Sequence, residues 1–306
     1  MKKLIFVTLA VPGKSARAVL MMARSIRDFG GSLASSLIWI MVPESRNTFS
    51  DGEKAGFAKL DLQIHPYPID PDVLQFPFAA KIAAAAVAEG LAQGQTELLC
   101  YLDQDTLVLQ EPDEFLLPDG KVLGYRPVHH KLIGTGWDEV LSPFWELIYR
   151  TCEVPEDRLF WMMTHTGEKT KPYFNAGTFV VRPERGLLTQ WRDTFLRSYR
   201  QPEFAAFYEQ NQLYTIFMHQ AIWTGVLLHA LFLDEMQLLS PKINYPLHLH
   251  EDIPEALRVK SIHDLTTLRY ENIFDTPKWR ENFPILEPLQ TWLESQLEMQ
   301  KSPHKS

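Results

Sequence analysis

Several features that would assign a protein to a specialised class are scarce or missing in this chain of 306 residues. It has two cysteines, Cys100 and Cys152, which form neither a disulfide framework nor a zinc pattern, so we expect a reducing, cytoplasmic environment. No Lys/Arg run occurs and the formal net charge is -8, which argues against broad binding to nucleic acid or anionic membrane. No segment reaches the ~18 apolar residues of a membrane span, and the longest candidate, 221–233, is interrupted by polar residues.

What the sequence does contain is an alternation of apolar runs and helical patterns in its first half. The run at 4–9 follows two lysines and resembles a short signal peptide, but a helical pattern follows directly, which favours a buried first strand. Ser15 can cap that first helix and Gly30 can end it, while Ser50 and Glu53 have the spacing of a capping box. Further buried strands are predicted at 37–42, 62–67 and 98–102, and an alanine-rich helix at 76–91. Strands buried on both faces and separated by helices indicate an α/β fold with a mostly parallel, doubly wound sheet and helices on both faces.

The second half is less regular. Its predicted strands are 122–125, 178–181, 238–245 and 258–263, and its predicted helices are 144–149, 187–199 and 210–228. No internal repeat or Gly/Ser/Pro linker separates two domains, so we expect a single domain over 1–298. We expect a flexible polar tail at 299–306.

The strongest chemical signal is Asp103-Gln104-Asp105, directly after the predicted strand at 98–102. Ligands of open α/β sheets bind outside the carboxyl ends of the strands, and two carboxylates spaced two apart there can meet one hard cation. The pattern D-x-D is weak by itself, and Asp70-Pro71-Asp72 provides a control in the same chain. That second copy contains proline and follows no such strand, so it indicates a turn.

Four segments together resemble a known family. Residues 98–106 look like the strand and D-x-D of GT-A glycosyltransferases, nearest to family 8. Residues 174–180, with Asn175 and Gly177, look like the second signature of that group, and His219-Gln220 is similar to its acidic-Gln motif. Ser261-Ile262-His263 resembles the late strand whose histidine completes the metal site. The segments keep the family's order and span about residues 1–270.

The resemblance implies a GT-A-like fold and a metal-dependent glycosyltransferase that moves a sugar from a nucleoside-diphosphate sugar, UDP-sugar first, to an unknown acceptor with retention. Within the single domain, residues 1–115 would hold the nucleotide and the metal, and residues 116–298 would form the acceptor half. The resemblance assigns Mn²⁺ or Mg²⁺ to Asp103, Asp105 and His263. It gives catalytic roles to Asn175 and Gln220. The residues expected at the sugar nucleotide are Thr8, Ala10, Lys81, Asp103, Gln104, Gly177 and Arg269.

The sequence also departs from the family pattern. The residues after His263 lack the expected glycine and lysine, and Arg269 is the nearest substitute for the lysine that would neutralise the leaving diphosphate. His219 stands where an acid usually precedes the glutamine. Two alternatives therefore stay open: a non-catalytic sugar-nucleotide-binding protein of the same fold, and a sugar nucleotidyltransferase, although residues 11–14 hold a single glycine. His263 could also be a core histidine. His248 and His250 would share one face of a strand beside Glu251 and Asp252, which could form a second metal cluster, although surface histidines near acids are commoner.

Overall fold

The computed structural model describes residues 2–275, 279 and 285–301. Its largest sheet has seven strands in the order β10, β6, β9, β4, β1, β2, β3. These strands are β1 (Lys2–Leu9), β2 (Leu37–Pro43), β3 (Leu62–Tyr67), β4 (Thr96–Leu102), β6 (Leu123–Pro127), β9 (Phe174–Val181) and β10 (Met236–Leu238). Strands β3, β2, β1 and β4 are parallel, β9 runs antiparallel to both β4 and β6, and β10 is parallel to β6. The predicted mostly parallel α/β sheet is confirmed.

Nine helices cover the sheet or extend the second half of the chain. They are α1 (Lys14–Phe29), α2 (Asp51–Lys59), α3 (Pro71–Leu74), α4 (Ala79–Ala92), α5 (Pro143–Thr151), α6 (Leu187–Ser198), α7 (Pro202–Gln210), α8 (Gln212–Ala230) and α9 (Leu289–Lys301), counted over the described residues. Alternate side chains of β1 point to opposite faces, so Leu4 and Phe6 pack with α1 and α2, while Ile5 and Val7 pack with α4, α6 and α8. Each face of the sheet therefore has its own apolar core.

A small second sheet lies beyond the end of β4. It contains β11 (Tyr245–Pro246), β12 (Thr267–Arg269) and β5 (Thr106–Val108), in that order. Strand β12 runs antiparallel to β5 with Arg269 opposite Thr106. A two-stranded ribbon, β7 (Met162–Met163) and β8 (Lys169–Thr170), completes the strands of the described residues. The β5–β12 pair brings a late segment of the chain back to Asp103-Gln104-Asp105.

Most predicted elements are found, but five local expectations differ from the structure. The capping box of Ser50 and Glu53 is present, whereas α1 begins after Gly13 and Ser15 is not its cap. Residues 238–245 form a strand end and a loop, and residues 255–257 and 262–264 form 3-10 turns rather than the predicted strand at 258–263. His248 and His250 lie on a 3-10 helix, Leu247–Asp252, not on a strand. The predicted tail is helical as far as Lys301, and residues 302–306 lie outside the described residues.

The other D-x-D segment behaves differently from the one after β4. The Asp70 side chain accepts a hydrogen bond from the backbone N–H of Asp72 at 2.7 Å and so caps the short helix α3. The sequence predicted a turn here, and the structure has a short capped helix, in which Asp70 has a local structural role. Among the described residues, no helix is long and apolar enough to cross a membrane.

Glu89 connects two helices of the apolar layer. It is fully buried on α4, and its carboxylate accepts hydrogen bonds from the backbone N–H groups of Leu188 (2.9 Å) and Thr189 (2.8 Å). These amides belong to the first turn of α6, whose N–H groups have no partner inside the helix. Gly186, at the N-cap position, has no side chain to bind them. Glu89 therefore caps α6 from a neighbouring helix.

We expect Glu89→Ala to lower the free energy of unfolding by about 2 kcal/mol, because it leaves two buried N–H groups without acceptors. Glu89→Gln should cost less, since the amide oxygen still accepts one bond. Urea denaturation followed by circular dichroism measures both. The control is Glu97→Ala, at an exposed position of β4. A loss for Glu89→Ala no larger than that of the control would contradict the capping role.

Candidate active site

Asp103 and Asp105 lie in a tight turn where β4 ends and β5 begins. The backbone N–H of Asp103 donates to the carbonyl of Gly177 on β9 at 2.8 Å, and the N–H of Thr106 donates back to the Asp103 carbonyl at 3.0 Å. These bonds hold the turn at the carboxyl edge of the parallel strands, where α/β folds bind ligands. Asp103 and Asp105 therefore follow the strand that the sequence predicted before them, at the carboxyl edge of the sheet.

Two cationic side chains contact these carboxylates. Lys81 Nζ lies 2.6 Å from Asp103 Oδ1, and Arg269 Nη1 lies 3.0 Å from Asp103 Oδ2. Arg269 Nε lies 3.2 Å from Asp105 Oδ2 and 3.6 Å from a carboxylate oxygen of Glu271. The guanidinium of Arg269 thus bridges Asp103 and Asp105, and three of their four carboxylate oxygens contact a cation.

Burial and attraction compete at each of these groups. Burial lowers the pKa of Lys81, and the carboxylate of Asp103 opposes this shift. Burial alone would also lower the pKa of Arg269, but attraction to Asp103, Asp105 and Glu271 raises it overall. Burial raises the pKa of Asp105, with Arg269 opposing the shift. Of these three groups, Arg269 is the one whose surroundings favour the charged form overall.

The second sheet delivers Arg269 to this position. Arg269 is the last residue of β12, opposite Thr106 of β5, and the next N–H, of Tyr270, donates to the carbonyl of Asp105 at 3.0 Å. The pairing with Thr106 and the bond from Tyr270 together hold the backbone of Arg269 beside the Asp105–Thr106 turn. The guanidinium is therefore anchored at its own backbone and at both carboxylates.

Gly177 leaves the space that the ion cluster occupies. A Cβ at this position would lie 2.7 Å from Asp103 Oδ2 and 2.9 Å from Arg269 Nη1, closer than non-bonded atoms approach. The Oδ1 atom of Asn175 accepts a hydrogen bond from the Gly177 N–H at 2.6 Å. Glycine is needed at 177 because the backbone of β9 runs directly beneath the Asp103–Arg269 pair.

Helix α8 contributes the predicted Gln220 and its neighbour His219. Gln220 Oε1 accepts a hydrogen bond from the backbone N–H of Ala176 at 3.0 Å, which ties the helix to β9. The His219 ring stacks on Phe78 with centroids 4.2 Å apart, and burial holds its pKa well below the usual range. At the place where the family has an acid, this chain therefore has a neutral ring.

A pocket opens directly on the ion cluster, with Lys81, Asp103 and Arg269 in its wall. Its other walls bring together the predicted Asn175, Gly177 and Gln220 with residues that the sequence analysis did not assign to a site. Those additional residues include Phe78, Leu132, His129, His130, His248 and Glu271.

The additional polar residues come from three segments far apart in sequence. His248 Nε2 lies 3.3 Å from a carboxylate oxygen of Glu271, and burial lowers the pKa of His248 to about 4. The sequence pattern that could have pointed to His248 is its alternation with His250, but such alternation predicts one face of a strand. Nothing in the sequence indicated that His248 would meet Glu271.

Two residues at the mouth of the pocket have unusual backbone conformations. Phe78 and Leu132 have φ values of 61° and 42°, which non-glycine residues rarely adopt, and their side chains are 43% and 40% exposed. Such conformations persist only where the surrounding structure holds them, and they cluster at functional sites. Here they present two large apolar side chains to whatever enters the pocket.

His263 does not lie where the resemblance placed it. Its Nε2 accepts a hydrogen bond from the backbone N–H of Leu286 at 3.0 Å, and its carbonyl accepts from the side chain of Gln110. Gln110 is four residues beyond Thr106, and four residues of extended chain span about 13 Å. His263 therefore lies at the far end of the β5–β12 pair, and Arg269 lies at the carboxylates instead.

The two carboxylates and their surroundings fit a divalent cation poorly. Within residues 2–275, 279 and 285–301, no group of three His, Cys, Asp or Glu side chains is arranged to hold a metal ion. Oxygen ligands suit Mn²⁺ and Mg²⁺, but here the oxygens of Asp103 and Asp105 already face Lys81 and Arg269. A cation would have to displace the Arg269 guanidinium to reach both side chains.

Three residues expected at the nucleotide lie outside the pocket wall. Thr8 and Ala10 are both fully buried, and the Ala10 N–H donates to the carbonyl of Met41 at 3.0 Å within the sheet. Ala10 belongs to the apolar core on the α1 side, so it offers no surface to a ligand in this structure. The side chain of Gln104 accepts a hydrogen bond from Ser15, at the start of α1.

Comparison with known proteins agrees with this architecture. The model of the Rhodobacterales glycosyltransferase domain matches residues 6–215. No curated protein matches the sequence. An active-site mutant of LgtC, with glutamate in place of glutamine, is 14% identical over 98% of this chain and 98% of that chain, with a TM-score of 0.54. The apo structure of the bifunctional glycosyltransferase WbbM is 15% identical over 89% of this chain and 46% of that chain, with a TM-score of 0.52.

At these identities the two structures show the fold alone, and they confirm the predicted GT-A-like architecture. The family match covers more than half of the sequence, from the first strand to the beginning of α8. The chain therefore belongs to the Rhodobacterales glycosyltransferase domain family and is a glycosyltransferase with a GT-A-like fold.

Proposed function

We propose that the pocket beside Asp103 binds a nucleoside-diphosphate sugar, with UDP-sugar as the first candidate, and transfers the sugar to an acceptor hydroxyl. The observation that carries the proposal is the pair of cations, buried Lys81 and half-buried Arg269, beside the carboxylates at the sheet edge. A departing nucleoside diphosphate develops negative charge, and fixed cations in a site shielded from water stabilise such charge strongly.

In the proposed reaction, the bond between the anomeric carbon and the diphosphate oxygen breaks, and the diphosphate leaves with the electron pair. The acceptor oxygen bonds to the anomeric carbon, and its proton passes to the departing diphosphate. Lys81 and Arg269 would hold that diphosphate. The predicted binding of Mn²⁺ or Mg²⁺ at Asp103 and Asp105 stays a prediction, and no step proposed here passes through a metal.

Asn175 and Gln220 are the residues we propose to orient the transferred sugar. The amide oxygen of each is bound to a backbone N–H of β9, which fixes both side chains at the pocket wall. Each side chain keeps an NH₂ group, which can donate to sugar hydroxyls. This arrangement supports the catalytic roles that the resemblance assigned to the two residues.

Retention of configuration is proposed for the transfer. Inversion would need a carboxylate or a histidine to act as base on the acceptor hydroxyl. Burial lowers the pKa of His129, His130 and His248 in the pocket wall, which makes these histidines weaker bases. Of the described residues, the acidic ones in the pocket wall are Asp103 and Glu271, and both contact Arg269. A carboxylate held by a guanidinium is a weak base, which supports a path without such a base.

The acceptor would enter past Phe78 and Leu132. Their exposed side chains offer an apolar surface at the mouth of the pocket, opposite the buried charges. Aromatic side chains that are fixed in place provide contact area at little cost in conformational entropy. We therefore assign acceptor binding to this side of the pocket.

The first test of the proposed function is a panel of nucleoside-diphosphate sugars, scored by release of nucleoside diphosphate and by thermal shift. We expect at least one donor to release its nucleoside diphosphate slowly by hydrolysis when no acceptor is present, and faster by sugar transfer when an acceptor is added. If no sugar nucleotide shifts the melting temperature or is turned over, with or without Mn²⁺, the proposed function is wrong.

For Lys81→Gln we expect the rate of sugar release to fall on the order of 100-fold, because the variant has one fixed donor fewer for the diphosphate. Arg269 still neutralises Asp103, so the variant should remain folded, and its circular dichroism melt checks this. The matched control is Lys54→Gln, an exposed lysine of α2. Equal rates in Lys81→Gln and Lys54→Gln would contradict a role of Lys81 in the reaction.

For Phe78→Ala we expect the KM for the acceptor to rise about tenfold while slow donor hydrolysis is retained, because the substitution removes apolar surface on the acceptor side of the pocket. Steady-state kinetics with and without acceptor separate the two effects. Phe232→Ala, at an exposed aromatic outside this pocket, is the control. A parallel decrease in donor hydrolysis would assign Phe78 to the donor instead.

A further inference from the structure

We propose that Arg269 takes the place of a divalent cation between Asp103 and Asp105, so that this glycosyltransferase binds its nucleoside diphosphate without a metal. The inference rests on the proposed function, because it names the group that contacts the diphosphate at the same site. It differs from the expectation of a Mn²⁺ or Mg²⁺ site at Asp103, Asp105 and His263.

The position of the Arg269 guanidinium is that of a shared metal. A metal shared by Asp103 and Asp105 must lie between their carboxylates, and that is where the guanidinium lies, 3.0 Å from one carboxylate and 3.2 Å from the other. The planar fork of arginine matches carboxylate oxygens better than a point charge does. The space between the two side chains is thus used by a group suited to both.

The second step is charge. Lys81 and Arg269 together carry the two positive charges that a divalent cation would bring, and both contact Asp103. Unlike a metal, these charges need not be recruited from solution. Only 5% of the Lys81 side chain and 21% of the Arg269 side chain are exposed, so water screens them little.

The third step is the remaining hydrogen-bonding capacity. A guanidinium has five N–H donors, and the contacts to Asp103 and Asp105 use one on Nε and one on Nη1. The remaining donors can form paired, charge-assisted bonds to phosphate oxygens, for which arginine is well suited. Arg269 lines the pocket, so these donors can be reached by a ligand there.

The fourth step is the way the surroundings accommodate an arginine. Gly177 leaves room for Nη1, since a Cβ there would lie 2.9 Å from it. The bond from the Tyr270 N–H to the Asp105 carbonyl holds the next residue in place. His263, the ligand expected to complete a metal site, is instead bound to the backbone of Leu286. The local structure is therefore built around the guanidinium.

The test is calorimetry of UDP and other nucleoside diphosphates with the full chain, in EDTA and in Mn²⁺. We expect wild-type affinity in the two conditions to agree within about twofold. Binding to the wild-type chain that occurs only with Mn²⁺ would overturn the inference and leave the proposed function standing. Absence of binding in both conditions would overturn both.

Two variants sharpen the result. Arg269→Ala removes the guanidinium from both carboxylates and leaves Lys81 beside Asp103. We therefore expect at least about tenfold weaker nucleotide binding in EDTA, with recovery in Mn²⁺. It should also bind Mn²⁺ alone, measured by electron paramagnetic resonance, more tightly than the wild-type chain does. Arg185→Ala, at a partly exposed arginine paired with Glu235, is the matched control and should change neither property.

Equal Mn²⁺ affinity in the wild-type chain and Arg269→Ala, or unchanged nucleotide affinity of Arg269→Ala in EDTA, would overturn the role of Arg269. If Arg269→Ala does not fold, Arg269→Lys keeps one charge and should retain binding in EDTA. The comparison of wild-type affinity in EDTA and in Mn²⁺ tests metal-free binding even if neither Arg269 variant folds.

Discussion

The ion cluster at the end of β4 is the constraint on which the rest of the site depends. Asp103 and Asp105 are neighbouring carboxylates with little solvent access, and removing such charges from water costs several kcal/mol unless counter-charges are close. Lys81 comes from α4 and Arg269 from β12, so helix, sheet edge and late strand must meet for the charges to be balanced. Removal of Lys81 or Arg269 would leave Asp103 with one counter-charge fewer. The folding of the chain and the formation of the site therefore depend on the same contacts.

Two amide side chains beside the cluster are held by backbone contacts. Asn175 is bound to the Gly177 N–H and Gln220 to the Ala176 N–H, so both amides are oriented by β9. Groups fixed in this way need no reorganisation when charge develops on a substrate, and that is the main advantage of a protein site over water. The pocket combines this rigid donor side with the apolar mouth at Phe78 and Leu132.

The contrast between His263 and Arg269 shows where inference from sequence was insufficient. The pattern at 258–263 was interpreted as a strand ending in a ligand, and the nearby arginine as a substitute for a lysine. In the structure the late strand is Thr267–Arg269, and its last residue lies opposite Thr106. The register between two strands far apart in sequence decides which side chain meets Asp105. Strands of three residues are too short for their hydrophobic pattern to specify that register.

The sequence by itself determined the fold class and the position of the carboxylates. Apolar runs separated by helical patterns specify parallel strands buried on both faces, and Asp103 and Asp105 follow one of them. The tertiary structure alone decided what neutralises those carboxylates and what surrounds them. Lys81, Arg269, His248 and Glu271 reach the pocket through α4, the β5–β12 pairing and a 3-10 helix. Those meetings depend on long-range packing and register, whereas the strand and its two aspartates are consecutive in the chain.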